Sequence, residues 1–496
     1  MTFSSLAHFD GKILISNEWV EPKSKKTRPV YNPKDATLVT DKHPVCNEQD
    51  IDAAVKISNK SFEHGPWPAM SGAQRGACLS KLADLLEQNA EEAAYYESIC
   101  SGRIVAQLKL EVPWIANVFR YYAGWCDKLE GESFTDDDGF YKIVRHEPIG
   151  VCAGITPWNG PMFVLALKAA PALATGNTFI LKPPEKSPLS SLFVGTLFEK
   201  AGFPPGVFQI VTGDGSTGAL LSSHMGIHKV SFTGSIPIGQ KIQHAANASN
   251  MKRVTLELGG KSPAVVFEDA HMTNTITWLT RGATMNAGQN CSASSRVYVH
   301  ESVAEVLIEG IKVNFESIAK SLGSDPQNQG SSYGPVVDEA QYENVHSFIE
   351  SGKKQATLVT GGYRYEGGGF FIPPTLFLNP DPYASIYKEE IFGPVLCIRT
   401  FKTEDEAVAM ANDSRYGLAA YIFTESVRRT LRVAKRLRAG TVGINAISQL
   451  FPQAPFGGYK CSGQGRELGK YALEDFTELK TIFIKSVYQT SDTSPD

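Results

Sequence analysis

The sequence has 496 residues, 42% of them hydrophobic and 20% charged, with a net charge of −4. That is room for a large packed core and, at ~100–200 residues per domain, for two to four domains. It excludes a nucleic-acid surface, since no basic excess exists to replace phosphate counterions, and no apolar run reaches the ~20 residues of a membrane span.

Lys12-Ile13-Leu14-Ile15 and Glu18-Trp19-Val20 flank Ser16-Asn17, which predicts a hairpin. A helix begins near Asp50, with Ile51, Ala54, Val55, Ser58 and Phe62 on one face. A long helix follows Ser71; Leu79, Leu82, Leu85 and Leu86 recur at helical spacing and Gly102 ends it. A further helical region covers 114–129, and 130–145 is polar and then strand-like, a surface hairpin by sequence alone.

From Gly150 the pattern becomes α/β. Strand candidates are 150–155, 178–181, 208–211, 229–232, 253–258 and 264–267, with helical segments between several of them. Such alternation implies a parallel sheet covered on both faces. A second set comprises a helix over 272–285, a strand over 296–300, a helix over 303–321, and strands at 357–360, 395–401, 419–423 and 440–444. Thr403 and Glu406 predict a capping box for a helix through Asn412. The eight cysteines contain no CxxC pair and no zinc spacing, so no metal is expected. No basic-then-apolar leader opens the sequence, and 493–496 is not a peroxisomal or ER signal. The cytoplasm is the expected compartment, and scattered thiols suit its reducing conditions.

The stretch with chemistry in it is Gly288-Gln289-Asn290-Cys291-Ser292. A lone cysteine is ordinarily a structural thiol. Here a second stretch, Val254-Thr255-Leu256-Glu257-Leu258-Gly259-Gly260, carries an acid inside an apolar strand. Burying a carboxylate costs several kcal/mol, and the two glycines permit close approach by a backbone or ligand. A third stretch is Ile155-Thr156-Pro157-Trp158-Asn159. Together they supply a nucleophile, a base and an oxyanion donor.

Leu256-Glu257-Leu258-Gly259-Gly260-Lys261-Ser262-Pro263 and Gly288-Gln289-Asn290-Cys291 resemble the two signature motifs of the aldehyde dehydrogenase superfamily. The likeness extends to Pro157-Trp158-Asn159, Leu181-Lys182-Pro183, Phe232-Thr233-Gly234-Ser235, Glu389-Glu390-Ile391-Phe392-Gly393-Pro394 and Pro455-Phe456-Gly457-Gly458-Tyr459-Lys460. It spans about 12–485, in family order.

The resemblance implies an α/β fold: two Rossmann-like parallel-sheet domains and a small β arm for oligomerisation. It divides the chain into a NAD-binding domain (1–129 and 149–258), a catalytic domain (259–475) and the arm (130–148 and 476–496). The arm would reach a neighbouring subunit in a homodimer or homotetramer.

Gly213-Asp214-Gly215-Ser216-Thr217-Gly218 matches GxGxxG after a strand, but the acid expected about 20 residues on is missing. Gly259-Gly260-Lys261-Ser262 lacks the first glycine of a Walker A loop, where Thr255 stands. The resemblance places the cofactor, NAD, on Phe232, Gly234, Ser235 and Ile238 instead, where a helix opens after a strand and its first N–H groups suit a phosphate. Ile155, Thr156, Trp158, Gly215 and Leu258 would line the same crease. Lys182 would hold the adenosine ribose. Glu185 would accept from ribose hydroxyls and repel a 2′-phosphate, favouring NAD over NADP. Glu390 would hold the nicotinamide ribose, with Phe392 beside the nicotinamide; by sequence alone 388–390 is a solvated charge run.

The implied mechanism has the Cys291 thiolate attack an aldehyde and form a thiohemiacetal. The side-chain amide of Asn159 and the N–H of Cys291 hold the oxyanion. A thioester follows, which Glu257 hydrolyses as general base. Lys168 would relay water beside Glu257. Its bland alternative is a snorkelling surface lysine. The substrate channel would be lined by Gly160, Val164, Leu167, Met285, Asn290, Leu450 and Phe456, and Gly160 replaces the bulky aromatic common at that place. No basic residue stands out for a phosphate or second carboxylate. The small-molecule substrate expected is an apolar aliphatic or aromatic aldehyde. Alternatives are a CoA-acylating semialdehyde dehydrogenase, a branch that usually lacks the glutamate, and a non-catalytic structural or binding member.

Overall fold

The computed structural model describes residues 6–486. The tetrapeptide 493–496 and the end of the arm segment lie outside them. Two large sheets organise the chain. In the first, five strands run parallel in the order Arg253–Leu258, Lys229–Gly234, Val151–Ile155, Thr178–Lys182, Phe208–Ile210. Every residue of Val151–Ile155 and Thr178–Lys182 is buried. Helices cover both faces of the strands, and this is why the strands read as unbroken apolar runs.

The N-terminal hairpin extends this sheet antiparallel at one edge, Leu14 opposite Ile210. Its turn is Ser16-Asn17, both left-handed at φ 55° and 64°, as a two-residue turn between strands of right-handed twist requires. At the other edge Gly463–Gln464 pairs antiparallel with Leu256 and Glu257. These two residues come from the segment assigned by sequence to the catalytic part.

The second sheet has the order Thr357–Thr360, Thr375–Leu378, Val395–Phe401, Arg296–His300, Pro263–Val266, Ala419–Phe423, Thr441–Ile444. All its pairings are parallel except the first. The strand expected over 264–267 therefore sits inside this sheet. Only four residues, 259–262, separate it from the Arg253–Leu258 strand of the first sheet, so the turn that carries Gly259-Gly260 bridges the two sheets.

Helix bounds depart from the sequence expectation where no capping side chain marks an end. Glu48–His64 begins at Asn47 with a reciprocal capping box to Asp50. The single helix expected after Ser71 is two, Gly72–Gln88 and Ala90–Ser101, broken at Asn89 and closed by Gly102 at φ 75°. The next helix runs Val105–Ala123 rather than 114–129. At 404–412 only half the capping box forms: Thr403 accepts from the Glu406 N–H, while Glu406 accepts from Lys402.

The arm is a three-stranded antiparallel sheet. Phe140–Pro148 pairs along its whole length with Thr477–Lys485, and Glu132–Phe134 adds to its other edge. Among the described residues no helix is long and apolar enough to cross a membrane.

Candidate active site

Cys291 lies between the helix Met272–Thr284 and the strand Arg296–His300. The intervening loop is strained. Asn286, Ala287 and Gly288 are all left-handed, at φ 53°, 52° and 74°, a conformation costing a non-glycine residue ~1–2 kcal/mol. Hydrogen bonds hold it. Gln289 Nε2 donates to Asn286 O at 2.9 Å, Asn286 Nδ2 donates to Asn159 O at 3.1 Å, and the Val337 N–H donates to Gln289 Oε1 at 2.9 Å. A methyl group on Gly288 would lie 2.2 Å from Gly393 O, so the turn tolerates no side chain there.

The two glycines after Glu257 do what the sequence asks of them. A Cβ on Gly259 would meet Glu390 Oε2 at 2.1 Å, and one on Gly260 would meet Cys291 O at 2.1 Å. Their bareness lets the Cys291 loop and the Glu390 loop close on the end of the Arg253–Leu258 strand.

Cys291 is half-buried and its Sγ lies 3.9 Å from Asn290 Oδ1. Burial holds the thiol well above its ordinary pKa, and the carboxylates of Glu257 and Glu390 push it further. The sulfur is therefore a protonated thiol at rest, not the few per cent thiolate of a free cysteine. It needs a base. Glu257 is buried, within reach of the thiol, and its Oε1 has no hydrogen-bond partner. Its pKa rises to about 8 through burial and the Glu467 carboxylate, opposed by the Lys168 ammonium.

Asn159 Nδ2 donates to Gln289 O at 3.0 Å, which places the amide on the Cys291 loop with a second N–H to spare. Lys168 is no surface lysine. Its side chain is fully buried and Nζ donates to Glu467 Oε1 at 2.6 Å and Ser231 Oγ at 3.1 Å. Its direct partner is thus Glu467, 299 residues away, and its link to Glu257 is electrostatic. Glu467 escaped the sequence reading because no local pattern marks it.

The cofactor-crease residues gather at the carboxyl ends of the first sheet. The helix Ile236–Ala248 starts at Ser235, whose side chain makes no capping bond, leaving the first N–H groups to another acceptor. Ile238, 44% exposed, lies on its first turn, and Gly234 packs on the Phe232 ring. A second helix opens at Gly215, where an added Cβ would meet nothing within 4 Å. The buried Lys182 Nζ donates to Pro183 O at 3.2 Å and Glu185 Oε2 at 3.4 Å, a real but loose pair. Burial lowers the Lys182 pKa and Glu185 opposes this. Thr156 Oγ1 donates to Lys182 O, and Ile155 and Leu258 are buried in the apolar cluster beneath. Uncapped helix, open glycine, ammonium and carboxylate are the donor and acceptor set that an adenine dinucleotide needs, so the residues fit the group.

Glu390 is turned into the site. Its Oε1 accepts from the Gly260 N–H at 2.9 Å, and burial raises its pKa to about 7. The charge run 388–390 is therefore not wholly solvated. Phe392, left-handed at φ 55°, meets Trp158 edge to face at 5.1 Å. Gln341, unmarked in the sequence, holds this loop by donating to Phe392 O at 2.8 Å.

The expected channel residues divide. Met285, Asn290 and Leu450 are half-exposed around the cysteine. Val164, Leu167 and Phe456 are buried at 7%, 2% and 5%, the last two within the core cluster under Cys291. Trp114, missed by sequence, stacks on Phe163 at 4.9 Å and donates from Nε1 to Leu450 O at 3.3 Å.

Comparison with known proteins agrees with this architecture. The chain is 43% identical over 478 residues to the cytosolic aldehyde dehydrogenase 1 of Macroscelides proboscideus, covering 96% of this chain and 95% of that one. It is also 43% identical to human retinal dehydrogenase 2, covering 96% and 92%. An aldehyde dehydrogenase from Bacillus cereus, solved as its NAD+ complex, superposes with a TM-score of 0.94 at 40% identity, covering 98% and 99%. The model of the aldehyde dehydrogenase family matches residues 19–482. A cysteine loop closed by glycines on the end of the strand that buries Glu257 thus stands in a chain matched almost from end to end, and the chain belongs to the aldehyde dehydrogenase family.

Proposed function

We propose that the protein oxidises an apolar aliphatic or aromatic aldehyde to its carboxylic acid with NAD. The observation that carries this reading is the Cys291 loop closed against Gly260, at the end of the strand that buries the Glu257 carboxylate. Glu257 takes the thiol proton and the sulfur adds to the carbonyl carbon, giving a thiohemiacetal. The second N–H of the Asn159 amide and the backbone N–H of Cys291 meet the developing oxyanion. NAD held there would supply the acceptor for the hydride that the thiohemiacetal loses on becoming the Cys291 thioester. Once Glu257 has given the thiol proton up to solvent, its carboxylate deprotonates the water that cleaves the Cys291 thioester, and the leaving sulfur is reprotonated. Lys168 and Glu467 form a buried ion pair behind Glu257 and tune its proton affinity.

Lys182, Glu185, Gly215 and the helix starting at Ser235 hold the dinucleotide, with Glu390 and Phe392 at its nicotinamide end. Residues 1–129 and 149–258 form the NAD-binding domain, 259–475 the catalytic domain, and the 130–148 and 476–496 segments an oligomerisation arm. The cytosolic relatives support a cytoplasmic location. Homodimers or homotetramers follow from the arm. Glu257 favours thioester hydrolysis over transfer to CoA, and the intact constellation favours catalysis over a structural role.

An aldehyde panel followed by NADH appearance tests the reading, and absence of NADH with every aldehyde rejects it. Asn159→Ala is expected to lower kcat by roughly 10²–10³-fold with a much smaller change in KM, read from steady-state kinetics. NAD is expected to be preferred to NADP. Glu185→Gln removes the charge facing a 2′-phosphate and is expected to raise kcat/KM for NADP roughly tenfold; a wild-type preference for NADP refutes the Glu185 assignment.

A further inference from the structure

Gly160 opens the helix Pro161–Ala174, one residue after Asn159. By sequence this position widens the channel and no basic residue lines it. The structure puts a cation there. A methyl group on Gly160 would lie 3.7 Å from Phe163 Cβ and 4.0 Å from Arg103 Nη1. Arg103 thus stands where the missing side chain would project.

The guanidinium is held from two sides. Nη1 donates to Glu97 Oε1 at 2.6 Å and Nη2 donates to Glu111. Glu97 also accepts from the Met162 N–H at 3.2 Å and Ser190 Oγ at 3.0 Å, tying the group to the first turn of the helix after Gly160. The Glu97 side chain is 1% exposed, those of Arg103 and Glu111 15% and 23%. A buried ion cluster is costly to desolvate, and the mechanism above uses none of its members. One turn beyond Glu111, Trp114 stacks on Phe163, and both rings pack with Leu450 and Cys291 against one core cluster.

Arg103 has five N–H donors and the two glutamates engage two of them. Glu97 and Glu111 both pair with the guanidinium, so the cluster offers no net positive charge to a carboxylate or phosphate on the substrate, while a neutral oxygen can accept from the guanidinium. We propose that Arg103 is a specificity-determining residue that donates, through the gap left at Gly160, to a neutral oxygen substituent on the aldehyde. The class selected is the oxygenated aromatic aldehyde, its ring packed against the Trp114–Phe163 pair. This rests on the aldehyde-oxidation reading.

The test compares aldehydes of matched size: 3- and 4-methoxybenzaldehyde against 3- and 4-ethylbenzaldehyde, with hexanal as reference. The readout is the methoxy-to-ethyl ratio of kcat/KM in each protein, so intrinsic reactivity cancels between variants. Gly160→Leu places a side chain over Arg103 while leaving Arg103, Glu97 and Glu111 themselves unchanged, and the φ of −166° at Gly160 is open to any residue. It is expected to lower the ratio about tenfold at one ring position or both. Arg103→Met is expected to do the same and Arg103→Lys to restore part of it. If Arg103→Met does not fold, Gly160→Leu decides. Ratios unmoved at both positions, or oxidation of hexanal with none of the four aromatic aldehydes, overturn the role of Arg103 and leave the oxidation reading standing. No NADH from any of the five, hexanal included, overturns both.

Discussion

Cys291→Ala is expected to abolish NAD-dependent aldehyde oxidation, a fall in kcat of roughly 10⁴–10⁶-fold, the range seen when a covalent nucleophile is removed. Cys46, Cys78, Cys100, Cys126, Cys152 and Cys397 are buried. Cys461 is exposed, its N–H bonds Arg415 O, and it lies beside Ile236 and Leu258 rather than on the Cys291 loop. No other sulfur can therefore take over. The change removes one atom from a half-buried site, so the fold is expected to persist, and a thermal melt next to the rate measurement checks this. Retained turnover in a folded Cys291→Ala protein would falsify the covalent route. The raised thiol pKa adds a finer expectation. Because burial and the neighbouring carboxylates keep the sulfur protonated, alkylation by iodoacetamide at pH 9, where Glu257 is ionised, is expected to be slower in Glu257→Gln, which has no base to take the proton, than in the wild type.

Local chemistry was readable in the sequence, and long-range chemistry was not. Glycine signals translate directly: Gly259 and Gly260 mark a place where two loops meet the strand end, and a side chain on either would overlap Glu390 or Cys291. The hairpin turn at Ser16-Asn17 and the cap at Gly102 follow from the same backbone rules. Parallel strands announced themselves as apolar runs because helices bury both faces. What failed was whatever depends on a distant partner. Lys168 lies on an almost wholly buried helix and reads as a lysine in apolar surroundings; its charge is met by Glu467, near the other end of the chain. Arg103 carries no local signal and comes beside Gly160 only through the fold, which also brings Glu97 and Glu111 onto its guanidinium. The break at Asn89 escaped because apolar spacing continues across it while the backbone turns. The thiol state also needed three dimensions, since a neighbouring carboxylate raises a pKa only once the fold brings it near.

Glu257→Gln is the other large effect, and it separates the two halves of the reaction. Glutamine keeps the volume and loses the base. Deacylation is expected to slow by roughly 10²–10⁴-fold, the usual worth of a positioned general base. If the thioester still forms, rapid mixing gives a burst of up to one NADH per site, then a slow steady rate, and the acyl group remains on Cys291 in the intact mass. The pH profile gives an independent check. The folded pKa of Glu257 is raised to about 8, mainly by burial. A base works only when deprotonated, so wild-type kcat should climb as pH rises through about 8 and level off above it. Glu390, raised to about 7, lies in the same cluster and could supply such a limb itself; Glu390→Gln should leave the limb near 8 in place, and Glu257→Gln should erase it. The same shift bears on stability with the opposite sign. Between the ordinary carboxyl range and about 8 the folded state holds a proton that the unfolded state has released, so this stabilising contribution is lost as pH rises through that window. Activity and stability therefore move in opposite directions across one titration, a pattern expected of a carboxylate buried to serve as a base and absent from one buried only within an ion pair.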